Sequence, residues 1–267
     1  MDEPRVVTEI DGSVAHVWLN RPDKLNGVDL EMLEGLLAAA KALRADRDVR
    51  AVVLQGRGPS FCSGLDFANA LRSRRRVARF FVPAPFRATN LFQRAVWAWR
   101  ELPVPVVAVT RGHVYGAGLQ LALAADFRFT TPDCRWAVLE AKWGLVPDMS
   151  GSVTLGELVP PDLAKRLTMT GEVFTGEQAH AWGLATEVGA DPLAAALDLV
   201  AQLSARSPDS VAASKRLLDR TRHSRPRRAL RLERRHQLAM FRALNTKIAR
   251  KAAAAGQDPE FGPRRFD

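Results

Sequence analysis

Two short, mostly apolar runs rich in β-branched residues, 6–10 and 14–19, stand on either side of Asp11-Gly12. Two such runs flanking an Asp-Gly pair predict a β-hairpin. After a loop over 20–27 the pattern changes. Leu30, Leu33, Leu37 and Ala40 fall on one helical face, with Asp29 and Glu31 in the first turn, where negative charge suits the helix dipole. Residues 49–55 form a nearly continuous apolar run of strand length, the pattern of a buried strand, and the breaker cluster Gly56-Arg57-Gly58-Pro59-Ser60 ends it. Residues 67–90 are Arg-rich, carry Pro83 and Pro85, and read as irregular and mobile. A helix over 91–101, a strand over 104–110, a helix over 116–125 and short strands at 126–130 and 136–139 follow. Beyond Pro147 the period is helical, predicting helices near 159–168, 176–182, 192–205, 208–220 and 227–253. Leu238, Phe241, Leu244 and Ile248 form a stripe on the last of these. Alternating strand and helix, then helices alone, indicates an α/β core with a helical C-terminal part. The division falls near residue 200, giving a core over 1–200 and a helical region over 201–267, although no linker marks it.

Composition narrows the class. With 47% hydrophobic and 25% charged residues, the 267-residue chain can bury a substantial core. It holds no apolar run of membrane-spanning length, and Met1-Asp2-Glu3-Pro4-Arg5 lacks the apolar stretch of a signal peptide. Cys62 and Cys134 form no CxxC pair, which argues against a zinc site or a disulfide scaffold and favours a reducing cytoplasm. The five histidines are scattered without HExxH, so no metal is expected. The net charge of +10 is concentrated over 72–79 and 215–251. Neither stretch interleaves stacking aromatics, so solvated basic faces are expected rather than a nucleic-acid site.

The candidate chemistry sits at two glycine junctions. Val104-Pro105-Val106-Val107-Ala108-Val109-Thr110 runs into Arg111-Gly112-His113-Val114-Tyr115-Gly116-Ala117-Gly118-Leu119-Gln120, a strand, tight turn and helix start. Such a start offers unpaired N–H groups and the positive end of a helix dipole. Small residues there also suit a close helix–strand contact, and the turn alone does not separate the two readings. A second junction, Gly64-Leu65-Asp66, also follows a strand. If both lie at the carboxyl edge of a parallel sheet, the N–H groups of Leu65 and Ala117 can point at one oxygen and stabilise an enolate or a tetrahedral oxyanion. Glu140 and Asp148 are the acid/base candidates, with Leu139, Trp143, Leu145 and Val146 able to desolvate them. The competing readings are a solvated strand-end glutamate and an aspartate capping a helix before Ser150-Gly151-Ser152. Cys62 and His113 read as structural, Ser63 is not in GxSxG, and neither GxGxxG nor a P-loop occurs.

Taken in order, Leu19-Asn20-Arg21-Pro22, Phe61-Cys62-Ser63-Gly64-Leu65-Asp66, the stretch 112–120, Ala125-Asp126, Glu140-Ala141-Lys142-Trp143-Gly144-Leu145-Val146-Pro147 and Thr170-Gly171-Glu172-Val173-Phe174-Thr175-Gly176-Glu177-Gln178-Ala179 resemble the crotonase (enoyl-CoA hydratase/isomerase) superfamily. The resemblance spans about residues 5–220. It implies a spiral of ββα units around a parallel sheet, with C-terminal helices that pack a homotrimer or hexamer. It implies an acyl-CoA thioester substrate, with no cofactor beyond the coenzyme A of the substrate. By motif position, Leu65 and Ala117 supply the oxyanion N–H groups, and Lys24, Leu25, Ser63, Gly64, Asp66 and Gly116 help to hold the thioester and its coenzyme. Hydratases of the family use two glutamates. Here one is Glu140, and the other position is Gln120, which cannot act as a carboxylate base. Isomerisation of an enoyl or dienoyl thioester is therefore expected before hydration, with Glu140 moving the proton, Asp148 assisting and Gln120 orienting the substrate. The alternatives are an enoyl-CoA hydratase, and an RNA-binding or inactive protein of the same fold.

Overall fold

A computed structural model of the chain describes residues 3–66, 78, 80–83 and 88–267. The N-terminal hairpin is formed by β1 (Val6–Asp11) and β2 (Val14–Leu19), paired antiparallel around Asp11-Gly12 as that turn signal predicts. Ala15, Val17 and Leu19 point into the core while Val14, His16 and Trp18 are half-exposed, so the period of two marks one buried face. Helix α1 (Leu30–Ala45) begins at Asp29, whose carboxylate accepts the Met32 N–H at 2.8 Å. Strand β3 (Ala51–Gly56) is buried along its whole length.

Next come α2 (Leu91–Arg100), β4 (Val106–Thr110), β5 (His113–Tyr115), α3 (Ala117–Ala124), β6 (Phe127–Thr130) and β7 (Arg135–Ala137). A 3-10 turn over Leu139–Trp143 leads to α4 (Gly151–Leu158) and α5 (Pro161–Thr170). Then follow β8 (Phe174–Thr175), α6 (Gly176–Ala181), β9 (Glu187–Val188), α7 (Pro192–Ser204), α8 (Pro208–Thr221), α9 (Pro226–Arg242) and α10 (Leu244–Ala255).

The strands form a six-stranded sheet in the order β1-β2-β3-β4-β6-β9, parallel from β2 onward, and a three-stranded sheet in the order β5-β7-β8. The chain repeatedly leaves the large sheet for the small one: β4 leads to β5 and β6 to β7. The segment after β3 does the same through a bridge between Cys62 and Val114. The large sheet is covered on both faces. Val52, Leu54, Val106 and Ala108 pack toward α1, α2 and α3, whereas Ala51, Val53, Val107, Val109 and Phe129 meet Ala196 and Val200 of α7. This two-sided burial explains why β3 and β4 read as continuous apolar runs.

The fold departs from the sequence reading in several places. The glycine-rich stretch contains β5, because His113, Val114 and Tyr115 pair with Arg135, Trp136 and Ala137, each 22 positions further along the chain. Helix α4 and strands β8 and β9 are further elements the periodicity did not reveal. The long C-terminal helix is two helices, broken at Ala243, whose backbone is extended (φ −70°, ψ 138°). The basic, irregular stretch at 67–90 falls largely outside the described residues.

The tail returns to the core. Arg264, with its side chain fully buried, donates to the carbonyls of Arg44 and Asp46 at the end of α1. Asp209, 1% exposed, accepts from the N–H groups of Arg265 and Phe266 and from Asn245 Nδ2.

Candidate active site

Both glycine junctions lie at the carboxyl ends of β3 and β4. Residues 61–62 run along β5: the Cys62 N–H donates to the His113 carbonyl at 2.9 Å, and the Tyr115 N–H donates to Cys62 at 3.0 Å. On the other side the Val28 N–H donates to the Gly64 carbonyl and the Asp66 N–H donates to Val28. In this parallel bridge the groups flanking Leu65 are the bonded ones, so the N–H of Leu65 itself points away from Val28. Ala117 is the first residue of α3, and its N–H has no helical acceptor. Among the described residues, neither N–H donates to the protein.

The glycines divide the labour. Gly64 has φ +96°, and a Cβ there would lie 3.1 Å from the Tyr115 carbonyl oxygen. Gly116 has φ +48°, and a Cβ there would lie 3.3 Å from Glu140 Oε1. A Cβ at Gly118 would sit 2.5 Å from Cys62 Cβ. Gly118 thus serves the close helix–strand contact, while Gly64 and Gly116 shape the junctions themselves.

Glu140 occupies the 3-10 turn after β7 rather than a strand end, and it is partly buried. Its Oε1 accepts from Gln120 Nε2 at 2.6 Å, whereas its Oε2 is buried with no hydrogen-bond partner. Burial pushes its pKa above the usual carboxylate range. Hydrogen bonds from its own backbone N–H and from Gln120 oppose the shift, and the charge of Asp148 adds to it. Asp148 is also raised, again chiefly by burial. Asp148 is not a helix cap: α4 starts at Ser150, in the left-handed region (φ 81°), without a side-chain cap bond. The cap is supplied from α3. Gln120 Oε1 accepts the N–H groups of Met149 and Gly151, each at 2.8 Å, so the amide joins Glu140 to the loop that carries Asp148.

The rim near the first junction is tied to the hairpin loop. The Ser63 hydroxyl donates to the Lys24 carbonyl at 3.3 Å, and its N–H donates to that of Leu25 at 2.9 Å. Leu25 is exposed and left-handed (φ 49°), as is the neighbouring Asn26 (φ 55°). Arg21 is buried and reaches Asp66 at 2.7 Å and Asp29 at 3.6 Å. Asn26 is fully buried, accepting from the Arg21 N–H and donating to the carbonyls of Arg57 and Ser60.

The family model for enoyl-CoA hydratase/isomerase matches residues 9–263. The chain belongs to that family. A protein of Mycobacterium tuberculosis described as a probable enoyl-CoA hydratase is 35% identical over 259 residues, 97% of this chain and 95% of the relative. A carnitinyl-CoA dehydratase of Salmonella arizonae is 31% identical over 258 residues, 94% of this chain and 95% of the relative. The crystal structure of an enoyl-CoA hydratase from Mycobacterium tuberculosis has a TM-score of 0.86 at 28% identity, covering 97% of this chain and 99% of that one. Another, from a Polaromonas species, has a TM-score of 0.85 at 27% identity, covering 96% and 99%.

Within this enoyl-CoA hydratase/isomerase fold, the structure brings Leu65, Gly116, Ala117, Gln120 and Glu140 to one place. Lys24, Leu25 and Ser63 lie on the adjoining rim, and Asp66 is bound to Arg21. Sequence reasoning gave no role to Arg21 and Asn26, although both stand in the loop it singled out. An arginine directly before Pro22 and an asparagine directly before Gly27 are the signal that was available. Cys62 is buried, with its thiol pushed up to about 12, and His113 Nδ1 is bonded to the Ser60 hydroxyl at 2.8 Å. Neither is arranged as a nucleophile pair. Among the described residues no helix is long and apolar enough to cross a membrane, and no cluster of metal-ligating side chains occurs.

Proposed function

We propose that this member of the family binds an acyl-CoA thioester at the carboxyl edge of the large sheet and shifts a double bond in its acyl chain by moving one proton. The thioester oxygen accepts from the N–H groups of Leu65 and Ala117, with the dipole of α3 behind the second. One such donor contributes about 10²–10³ in rate when negative charge develops on the oxygen. Glu140 takes a proton from Cα of a 3-enoyl thioester, electrons move into a dienolate, and the same carboxyl returns the proton to Cγ. The coenzyme lies along the rim of Lys24, Leu25 and Ser63. Gly64 and Gly116 allow the thioester close to the backbone, and Asp66, held by Arg21, fixes the rim.

The observation that carries this reading is the division of labour in the Glu140 carboxylate. Oε1 is held by Gln120, and Oε2 is desolvated and unpartnered beside Gly116. A buried base with a raised pKa takes a carbon-bound proton more readily than an exposed one. Gln120 is a positioning residue: all of its observed bonds go to protein, so it reaches the substrate through Glu140. Glu140→Gln, assayed with 3-enoyl-CoA and dienoyl-CoA, should lose about 10²–10⁴ in turnover. Unchanged turnover overturns the role of Glu140.

Asp148 favours a second reading, hydration or dehydration. It is a second carboxyl with a raised pKa, close enough to Glu140 to act on it. The relatives described as hydratase and dehydratase point the same way. Incorporation of oxygen-18 from water into a 3-hydroxyacyl product selects this reading over isomerisation. The proposal includes a cytoplasmic homotrimer or hexamer. Exposed Leu230, Leu238, Phe241 and Leu244 on α9 and α10, together with two unbonded cysteines, support it.

A further inference from the structure

At the end of the molecule opposite the proposed thioester site lies a cleft of about 450 Å³. Arg44 at the end of α1, Trp97 and Arg100 on α2, Pro103 before β4, and Arg216 and Arg220 on α8 line it. Pro103 leads into β4 and Thr110 leaves it toward the active site, so the length of that strand, roughly 15 Å, separates the two places.

The charges around the cleft do not balance locally. Its carboxylates are already engaged: Glu101 with Arg94 at 3.3 Å, Glu157 with Arg100 at 2.6 Å, and Asp219 with Arg100 at 3.4 Å. Asp267 is held by Arg47 and Arg264, both outside the lining, at 2.7 and 2.8 Å. Lys215 is paired with Asp126 at 2.6 Å. Three guanidinium groups remain. Arg44 bonds only the Glu101 carbonyl, and Arg216 and Arg220 make neither a hydrogen bond nor an ion pair among the described residues. Arg216 and Arg220 stand four apart on α8, where like charges repel. Partial burial, and then the fields of Arg220 and Arg44, disfavour the charge on Arg216; Asp267 offsets them and Arg235 adds to them. An arginine stays protonated at any ordinary pH, so the fold holds these charges together at a cost.

We infer that this arginine cleft is a second ligand site, which takes a diphosphate-bearing small anion between Arg44, Arg216 and Arg220. Guanidinium forks match phosphate oxygens bidentately, and a diphosphate carries enough negative charge to offset three of them. The volume exceeds what a single phosphate needs. Trp97, with the Arg100 guanidinium 5.1 Å from its ring centroid, offers a wall on which a nucleotide base can lie. The inference is independent of the chemistry assigned to Glu140.

The test is isothermal titration calorimetry on the full chain at fixed ionic strength, with pyrophosphate, ADP and acetate. Pyrophosphate and ADP should bind and acetate should not. Equal affinity for the first two assigns the site to inorganic diphosphate, and tighter ADP assigns it to a nucleotide. Arg216→Gln/Arg220→Gln should weaken binding about tenfold or more. The control pair Arg227→Gln/Arg228→Gln, with the same charge change on α9, should leave it within about twofold. Arg44→Gln, on another helix, should weaken binding too and covers the case in which the double variant does not fold. Coenzyme A itself carries a diphosphate, so the thioester site is separated by Lys24→Gln, on its proposed rim, which should leave pyrophosphate binding within about twofold. Absence of binding to the parent chain, equal weakening by both double variants, or a loss of pyrophosphate binding in Lys24→Gln as large as in Arg216→Gln/Arg220→Gln would each overturn the inference.

Discussion

At the residue scale, Glu140 and Gln120 form one unit. Burial raises the folded-state pKa of Glu140 above its unfolded value, so ionisation is what folding opposes. Stability drawn from this residue is greatest below the unfolded pKa and declines as pH rises through the folded one. Glu140→Gln should therefore melt higher than the parent at pH 7. The gap should close as pH falls below the ordinary carboxylate range, as thermal melts at several pH values would show. Gln120→Ala removes the donor that favours the charged form, so the acidic limb of the rate profile should move to higher pH. It also leaves the Met149 and Gly151 N–H groups without their acceptor. Gln120→Glu sets two carboxyl oxygens at the observed 2.6 Å with no donor between them, so the pair must share a proton at neutral pH. The glycines separate stability from chemistry. Gly118→Ala drives a methyl into Cys62 and should cost about 1–3 kcal/mol in chemical denaturation. Gly116→Ala strains a positive φ and presses on Glu140, so its loss should appear in turnover as well.

At the scale of elements, the site depends on how α1 and the hairpin loop are anchored. Asp29 caps α1 through Met32 and also receives Arg5 at 3.0 Å. Asp29→Ala should cost about 0.5–2 kcal/mol for the cap alone, and more because Arg5 and Arg21 lose a partner. Since Arg21 also holds Asp66, KM for the acyl-CoA should rise in the same variant. Elements with strong local signals were legible: β1, β2, α1, β3, β4 and α3 stand where a turn pair, an apolar run or helical spacing placed them. Strand β5 was not, because three residues within a glycine-rich turn become a strand only when residues 135–137 come alongside. The break at Ala243 was equally silent. Alanine favours a helix, and the extended backbone there is imposed by the packing of α9 and α10 on α8.

At the scale of the whole molecule, the C-terminal tail is fastened through Asp209. It receives two backbone N–H groups of the tail and one amide of α10, and so binds the C-terminal residues to α8 beside the end of α1. Asp209→Ala leaves these donors buried and unmet, at about 1–3 kcal/mol for each that water does not reach. A lower midpoint with an unchanged acyl-CoA assay at low temperature is the expected result. The sequence by itself determined the class of fold and the glycine junctions, because hydrophobic period and glycine placement are local properties of the chain. It also offered both carboxyl candidates, without a way to choose between catalyst and helix cap for Asp148. Tertiary structure decided what those residues touch. Gly116 and Gly118, two positions apart, meet Glu140 and Cys62 respectively, and no local pattern encodes such neighbours. Gln120 was visible only as a missing carboxylate. Folding made it the amide that holds Glu140, caps α4 and leaves one oxygen free, because its three partners come from segments 20 to 31 residues away.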